Sequence, residues 1–281
     1  YDKYTGTLTS KTTFKGDTIT YTYDANTDRI LTKTIPGYGT VTYVYDQAGQ
    51  RYTMTDATGT TTYDYDIRGR MLFKNTPYGK INYTYTNGLL TSISTDSIDG
   101  VNILYTYDSF SRLYTVTDNR AGGVTTYTYD DNGNLDTMLY PNGIKHDWDY
   151  NRDNRLTDIT VTKSSNVTVN SFNYSLGYAG NRTAVVEHSG RMINWTYDNL
   201  YRLTNETIIG VAESGTTTYT YDAVGNRQSR ISTIGAIVNQ DFTGNYTAND
   251  WLTDGYAYND NGATTTSPDG TYVYDAENKL L

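Results

Sequence analysis

One phrase recurs along this chain and limits what it can fold into. Tyr-x-Tyr-Asp occurs at Tyr21 to Asp24, Tyr43 to Asp46, Tyr63 to Asp66, Tyr105 to Asp108, Tyr127 to Asp130, Tyr219 to Asp222 and Tyr272 to Asp275. Looser copies place Trp first (Trp148 to Asn151, Trp195 to Asp198) or lose the acid (Tyr83 to Thr86, Tyr256 to Asn259). The anchoring Tyr falls at Tyr23, Tyr45, Tyr65, Tyr85, Tyr107, Tyr129 and Tyr150, in steps of 22, 20, 20, 22, 22 and 21 residues. Anchors then set at Tyr178, Tyr197, Tyr221, Tyr258 and Tyr274 give looser steps of 28, 19, 24, 37 and 16. A period of this length is the mark of a repeat architecture, in which each unit contacts only its neighbours.

Each repeat reads as a β-hairpin. A turn rich in Gly or Pro, such as Pro141-Asn142-Gly143, precedes an alternating strand such as Ile19-Thr20-Tyr21-Thr22-Tyr23. There Ile and both Tyr share one face and Thr takes the other. A second turn opens on the Asp, as in Asp66-Ile67-Arg68-Gly69-Arg70, and a second strand such as Leu113 to Thr117 leaves it. Asp accepts bonds from backbone N–H groups two residues on, and Gly supplies positive φ. About 20 residues per copy leave no room for a helix, so the fold class is all-β: tandem hairpins in a long, twisted, spiralling antiparallel ribbon of about 24 strands, near 115 Å at about 4.8 Å per strand. The expected organisation is one continuous ribbon over residues 1–281, regular over 1–157 and looser over 158–281. Its least regular part is about 231–262, where Ile234-Gly235-Ala236-Ile237-Val238 reads as an insertion or cap.

Composition agrees with a β reading. There are 31 Tyr against 5 Phe, and only four of the 31 acids are Glu (Glu187, Glu206, Glu213, Glu277). Tyr fills an interior while its hydroxyl finds a partner, and Asp favours turns over helices. The net charge of −9 argues against nucleic acid or anionic membranes as partners. No apolar run approaches the roughly 18 residues of a span, and zero Cys excludes disulfides and thiolate metal sites. Sequons stand at Asn82, Asn166, Asn173, Asn181, Asn194, Asn205 and Asn245, a chance yield of an Asn- and Thr-rich chain or glycosylated surface positions.

Catalytic residues do not stand out. An acid repeated in every turn is a turn device before it is a catalyst, so Asp24, Asp46, Asp66, Asp108, Asp130, Asp198, Asp222 and Asp275 are assigned to structure with their neighbours Tyr23, Tyr45, Tyr65, Tyr107, Tyr129, Tyr197, Tyr221 and Tyr274. Asp130 to Asn134 and Asn259 to Gly262 are oxygen-rich, and Asp130, Asn132, Asn259 and Asn261 are weak calcium candidates, but no distal bidentate Glu follows them. His146 alternates in phase with Trp148 and Tyr150 and reads as packed rather than ligating. No cofactor and no enzymatic activity is expected. The Tyr and Trp face is read as packing, with sugar stacking as the alternative.

These residues resemble the YD-repeat, or Rhs, family. The marks are Tyr65-Asp66-Ile67-Arg68-Gly69-Arg70-Met71, Tyr107-Asp108-Ser109-Phe110-Ser111-Arg112-Leu113, Tyr197-Asp198-Asn199-Leu200-Tyr201-Arg202-Leu203, Tyr221 to Arg227 and Tyr274 to Leu280. The resemblance covers essentially the whole chain. It implies a hairpin ribbon that spirals into a hollow shell, as in shells around polymorphic toxins, cocoons of insecticidal toxin complexes, teneurin ectodomains and wall-associated proteins. Toxin-carrying members cut themselves near an Asp-Pro pair. This chain has none; its prolines are Pro36, Pro77, Pro141 and Pro268, so neither cleavage nor cargo carries over.

The function expected is therefore that of an extracellular or cell-surface structural protein, a YD-repeat shell or filament segment. A toxin-encapsulating shell and a glycan-binding adhesin are the alternatives. The chain opens at Tyr1, with Tyr1-Asp2 as the tail of a preceding copy, and reads as a processed product or a piece of something longer. Open strand edges would pair with further repeats of the same polypeptide or end to end with a second copy.

Overall fold

The computed structural model describes residues 1–13, 16–210, 213–275 and 279–280; Ala276, Glu277 and Asn278 of the last signature copy lie outside the described residues. Among the described residues there are 25 strands and no helix. Twenty-two strands belong to one antiparallel sheet whose pairings join strands that follow one another in the chain. Ala257–Tyr258, Thr264–Ser267 and Gly270–Thr271 form a sheet of their own.

Alternation places the side chains. In Thr18–Tyr23, Ile19 is buried and Tyr21 and Tyr23 are half-buried, while Thr18, Thr20 and Thr22 face solvent. The threonine face is laced from strand to strand: Thr22 with Thr32 at 2.6 Å, Thr34 with Thr40 at 2.8 Å, Thr106 with Thr115 at 2.6 Å and Thr128 with Thr137 at 2.7 Å. Such cross-strand pairs add roughly 0.2–1 kcal/mol each, which a short-stranded sheet accumulates over its length.

Every signature hairpin with a recorded register carries a β-bulge at the same place. Thr22 pairs with Thr32 but Tyr23 pairs with Ile30, leaving Leu31 as the extra residue. The same slip occurs at Tyr45, Tyr65, Tyr85, Tyr129, Tyr150, Tyr197 and Tyr221. A bulge bends its strand and strengthens the right-handed twist, so each hairpin is bent at its signature Tyr.

The chain divides into two compact units, Tyr1–Leu104 with Gly255–Leu281, and Tyr105–Asp254. In the first, Ile19 and Ile35 form a small core with Tyr21 against them. Asp275 and Lys279 line a cavity of about 330 Å³ with Ile35, Val41, Tyr43 and Met54. In the second, Val185, Ile193, Ile208 and Ile234 are buried together, with Phe172, Tyr174, Trp195 and Ile237 packed on them.

Two anchors differ from the sequence reading. Tyr178 is not an anchor: it is fully exposed within a turn, and the bulge falls two residues earlier, at Leu176. The 37-residue step hides a degenerate copy at Tyr246. Its hydroxyl makes the bond typical of an anchor, to the Arg227 carbonyl at 2.8 Å, and Thr247 caps the turn that follows through the N–H of Asn249 and Trp251. Ile234, in the segment read as an insertion or cap, is a core residue at 4 % exposure.

Candidate functional site

The repeated residues line up turn beside turn, and their geometry shows what each one does. In Tyr65-Asp66-Ile67-Arg68-Gly69-Arg70, Oδ1 of Asp66 accepts from the backbone N–H of Arg68 at 2.8 Å and of Arg70 at 3.0 Å. Oδ2 accepts from Nε of Arg70 at 2.7 Å. Asp108 repeats the set with Phe110 and Arg112, and Asp198 with Leu200 and Arg202, whose Nε stands 2.7 and 2.6 Å from the carboxylate. Asp130 and Asp222 take a side-chain amide instead, from Asn134 at 2.9 Å and Asn226 at 3.0 Å. One carboxylate thus closes the turn and fixes the residue four positions on.

That residue reaches the next turn. The Arg70 guanidinium lies 4.3 Å from the ring centre of Tyr85, Arg112 4.4 Å from Tyr129 and Arg202 4.9 Å from Tyr221. Arg202 also donates through Nη1 to the Asp222 carbonyl at 2.9 Å, and Asn134 to Oδ1 of Asn154 at 3.1 Å. The anchoring Tyr answers in the opposite direction. Tyr23 donates to the Leu8 carbonyl at 2.8 Å, Tyr45 to Ile30 at 2.9 Å, Tyr129 to Leu113 at 2.9 Å, Tyr197 to Arg182 at 2.7 Å and Tyr221 to Leu203 at 2.8 Å. Where both arms are formed, as between Arg70 and Tyr85, Arg112 and Tyr129, and Arg202 and Tyr221, the signature is a clasp between one repeat and the next.

The turn glycine is part of the clasp. Gly49 has φ 81°, and a Cβ there would stand 1.7 Å from the Arg29 guanidinium, which occupies the space a side chain would need. Copies without Gly hold the same left-handed conformation at a cost: Ser111, Asn154 and Tyr201 have φ of 62°, 57° and 59°.

Charge follows geometry. The Asp66 carboxyl is held below the ordinary carboxylate range by the Arg70 backbone N–H and then its guanidinium, Asp198 by the same groups of Arg202, and Asp130 by the Asn134 amide. Burial pushes the phenols of Tyr65, Tyr107, Tyr127, Tyr150, Tyr197 and Tyr219 above their ordinary value.

The remaining sequence candidates have ordinary surroundings. Oδ1 of Asn259 accepts from the N–H of Asn261 and Ala263, both at 3.0 Å, and Oδ1 of Asp130 from Asn132 at 2.9 Å. Among the described residues no group of three or more His, Asp or Glu is arranged to hold a metal ion. Asp24 caps Asn26 and Thr27, Asp46 caps Gln50 and Asp275 caps Lys279. His146 packs between Tyr140 and Trp148, with ring centres 5.5 and 5.6 Å away. Of the sequons, Asn166 lies on an exposed turn, while the amides of Asn82 and Asn173 bond to Asp96 and Asp158. Asn181, Asn194, Asn205 and Asn245 are half-buried.

No family description and no curated protein matches the chain by sequence. Solved structures do match by fold. A mutant form of the Tc holotoxin pore of Photorhabdus luminescens aligns over 97% of this chain and 20% of its own, at 16% identity and a TM-score of 0.50. The TcdB2–TccC3 structure aligns over 97% of this chain and 21% of its own, at 15% identity and a TM-score of 0.50. The chain therefore spans about a fifth of the length of these structures, and what it shares with them is the fold.

Proposed function

With the YD-repeat ribbon as its fold, we propose that this chain is a length of extracellular, non-enzymatic structural wall. The observation that carries this reading is the clasp. The Asp, Arg, Gly and Tyr that recur most are each engaged in closing a turn or gripping the next one, so the repeated chemistry serves continuity. The likeness to Tc toxin structures supports a shell over an isolated fibre, and a wall enclosing a toxin is the second reading that it favours. The strand that pairs with the outer edge of Ser10–Thr12 would come from further repeats or from a second copy, and glycans, if carried, are placed best at Asn166. Electron microscopy of the native material tests the proposal. Hollow particles with ribbon walls are the expected result, continuous fibres would shift the reading to a self-assembling filament, and unassociated short ribbons at high concentration would overturn it.

A further inference from the structure

The row of clasps has one vacancy in its chemistry, and we infer that it is a seat for a carboxylate-bearing sugar. At Asp66, Asp108 and Asp198, Nε of the arginine four residues on meets the carboxylate at 2.6–2.7 Å. At the corresponding turn of the second unit the acid is replaced by Asn151. Its Oδ1 still caps the turn, accepting from the N–H of Asp153 and of Arg155 at 3.0 Å each. What remains of its side chain is an amide nitrogen, which donates and cannot accept from a guanidinium. Arg155 thus keeps the position of the clasp arginine without its carboxylate. The next turn along offers none either, because Gly177 stands where the acid belongs, and Arg155 reaches only its backbone, donating through Nη1 to the Tyr178 carbonyl at 3.1 Å. Asp153, 68 % exposed, meets Arg155 only as a loose ion pair at 4.0 Å, beyond hydrogen-bond reach.

The place is also open. Asn151, Asp153, Arg155, Leu176, Gly177 and Tyr178 line a groove of about 510 Å³, within the roughly 300–1,000 Å³ typical of small-molecule clefts. The Tyr178 ring beside it is fully exposed, an amphipathic aromatic surface with no packing role. A uronic acid unit matches both parts. Its carboxylate supplies the acceptor that Asn151 lacks, in a charge-assisted pairing with Arg155, and its pyranose ring lies against Tyr178. In a chain of net charge −9, general attraction for anions is absent, so the seat favours a single carboxylate over a dense polyanion.

The test titrates the whole chain with sodium D-glucuronate, with D-glucose and glutarate as the ring-only and carboxylate-only probes, followed by NMR at the backbone N–H signals of Gly177 and Gly180, which the wild type and every variant share. Saturable binding of glucuronate is expected, weaker by about tenfold or more in Arg155→Gln and by several-fold in Tyr178→Ala. The deciding variant is Asn151→Asp, which restores the internal partner: it should fold, raise the unfolding midpoint and lose glucuronate by about tenfold or more. Unchanged affinity in Asn151→Asp, equal binding of glutarate, equal binding of glucose, or no saturation at tens of millimolar glucuronate would each overturn the assignment.

Discussion

The Tyr129 hydroxyl donates to the Leu113 carbonyl at 2.9 Å, binding the anchor of one repeat to the strand that leaves the turn before it. Leu113 directly follows Arg112, whose guanidinium lies over the same Tyr129 ring, so a single phenol receives the previous repeat at its face and returns to it at its edge. Tyr45 and Tyr221 are held in the same way.

Removing the hydroxyl alone should therefore weaken the ribbon in equal steps. Tyr45→Phe, Tyr129→Phe and Tyr221→Phe are each expected to cost about 1 kcal/mol, the net worth of one hydrogen bond whose acceptor is left behind. The three sites share no partner, so the triple variant should add to about 3 kcal/mol, measured by denaturant unfolding. A triple variant as stable as the parent would refute the clasp.

Asp198 does two things, and two substitutions separate them. Asn keeps the turn cap, as Asn151 does in its own turn, but cannot receive Nε of Arg202. Ala loses both. The expected order of stability is wild type, then Asp198→Asn, then Asp198→Ala, read from thermal unfolding with hydrogen exchange at the Leu200 and Arg202 amides. Equal losses for Asn and Ala would mean that the Arg link, and not the cap, carries the energy.

Acid should loosen the row of turns. Asp66, Asp130 and Asp198 are held below the ordinary carboxylate range when folded, so the unfolded chain binds protons more readily than the folded one. Their contribution is whole above the unfolded value, about 4, and is lost as pH falls through it and on to the folded value. The unfolding midpoint should hold steady down to about pH 5 and drop below it, with a flatter profile in Asp66→Asn/Asp198→Asn. A midpoint that rises on acidification would contradict the sign.

Tyr201 occupies the glycine position of its turn at φ 59° and is 62 % exposed, so it bears left-handed strain with little packing in return. Tyr201→Gly should stabilise by about 0.5–1 kcal/mol, the relief of strain exceeding the added freedom of the unfolded chain. Gly49→Ala should do the opposite, since it adds strain and displaces Arg29 from its contact with Tyr45. Equilibrium unfolding of both variants checks the pair.

The all-β class, one hairpin per repeat, the alternation of Tyr with Thr and the turn-capping role of Asp were legible because each follows from local spacing. Other features were not. The phenol's partner lies 14 to 19 residues back, at backbone carbonyls that carry no side-chain signal. The copy at Tyr246 is hidden because Thr247 and Trp251 fill the places of Asp and Arg, and the anchor at Leu176 is hidden because an aliphatic residue stands where other copies carry an aromatic one, with an exposed Tyr178 two residues on. The β-bulges are silent in the sequence as well, since one extra residue on the leaving strand leaves the count between anchors unchanged.

That every grip reaches one repeat and no further has a bearing on how such a chain changes through time. Arg202 extends forward to Asp222, and Tyr221 extends back to Leu203. Excising one whole period brings together an Arg and a Tyr that already fit each other, whereas excising half a period joins mismatched strands. Recombination between repeats can thus lengthen or shorten the coding sequence in units of about twenty residues while each new seam closes like the old ones, leaving extent open to selection and local architecture conserved.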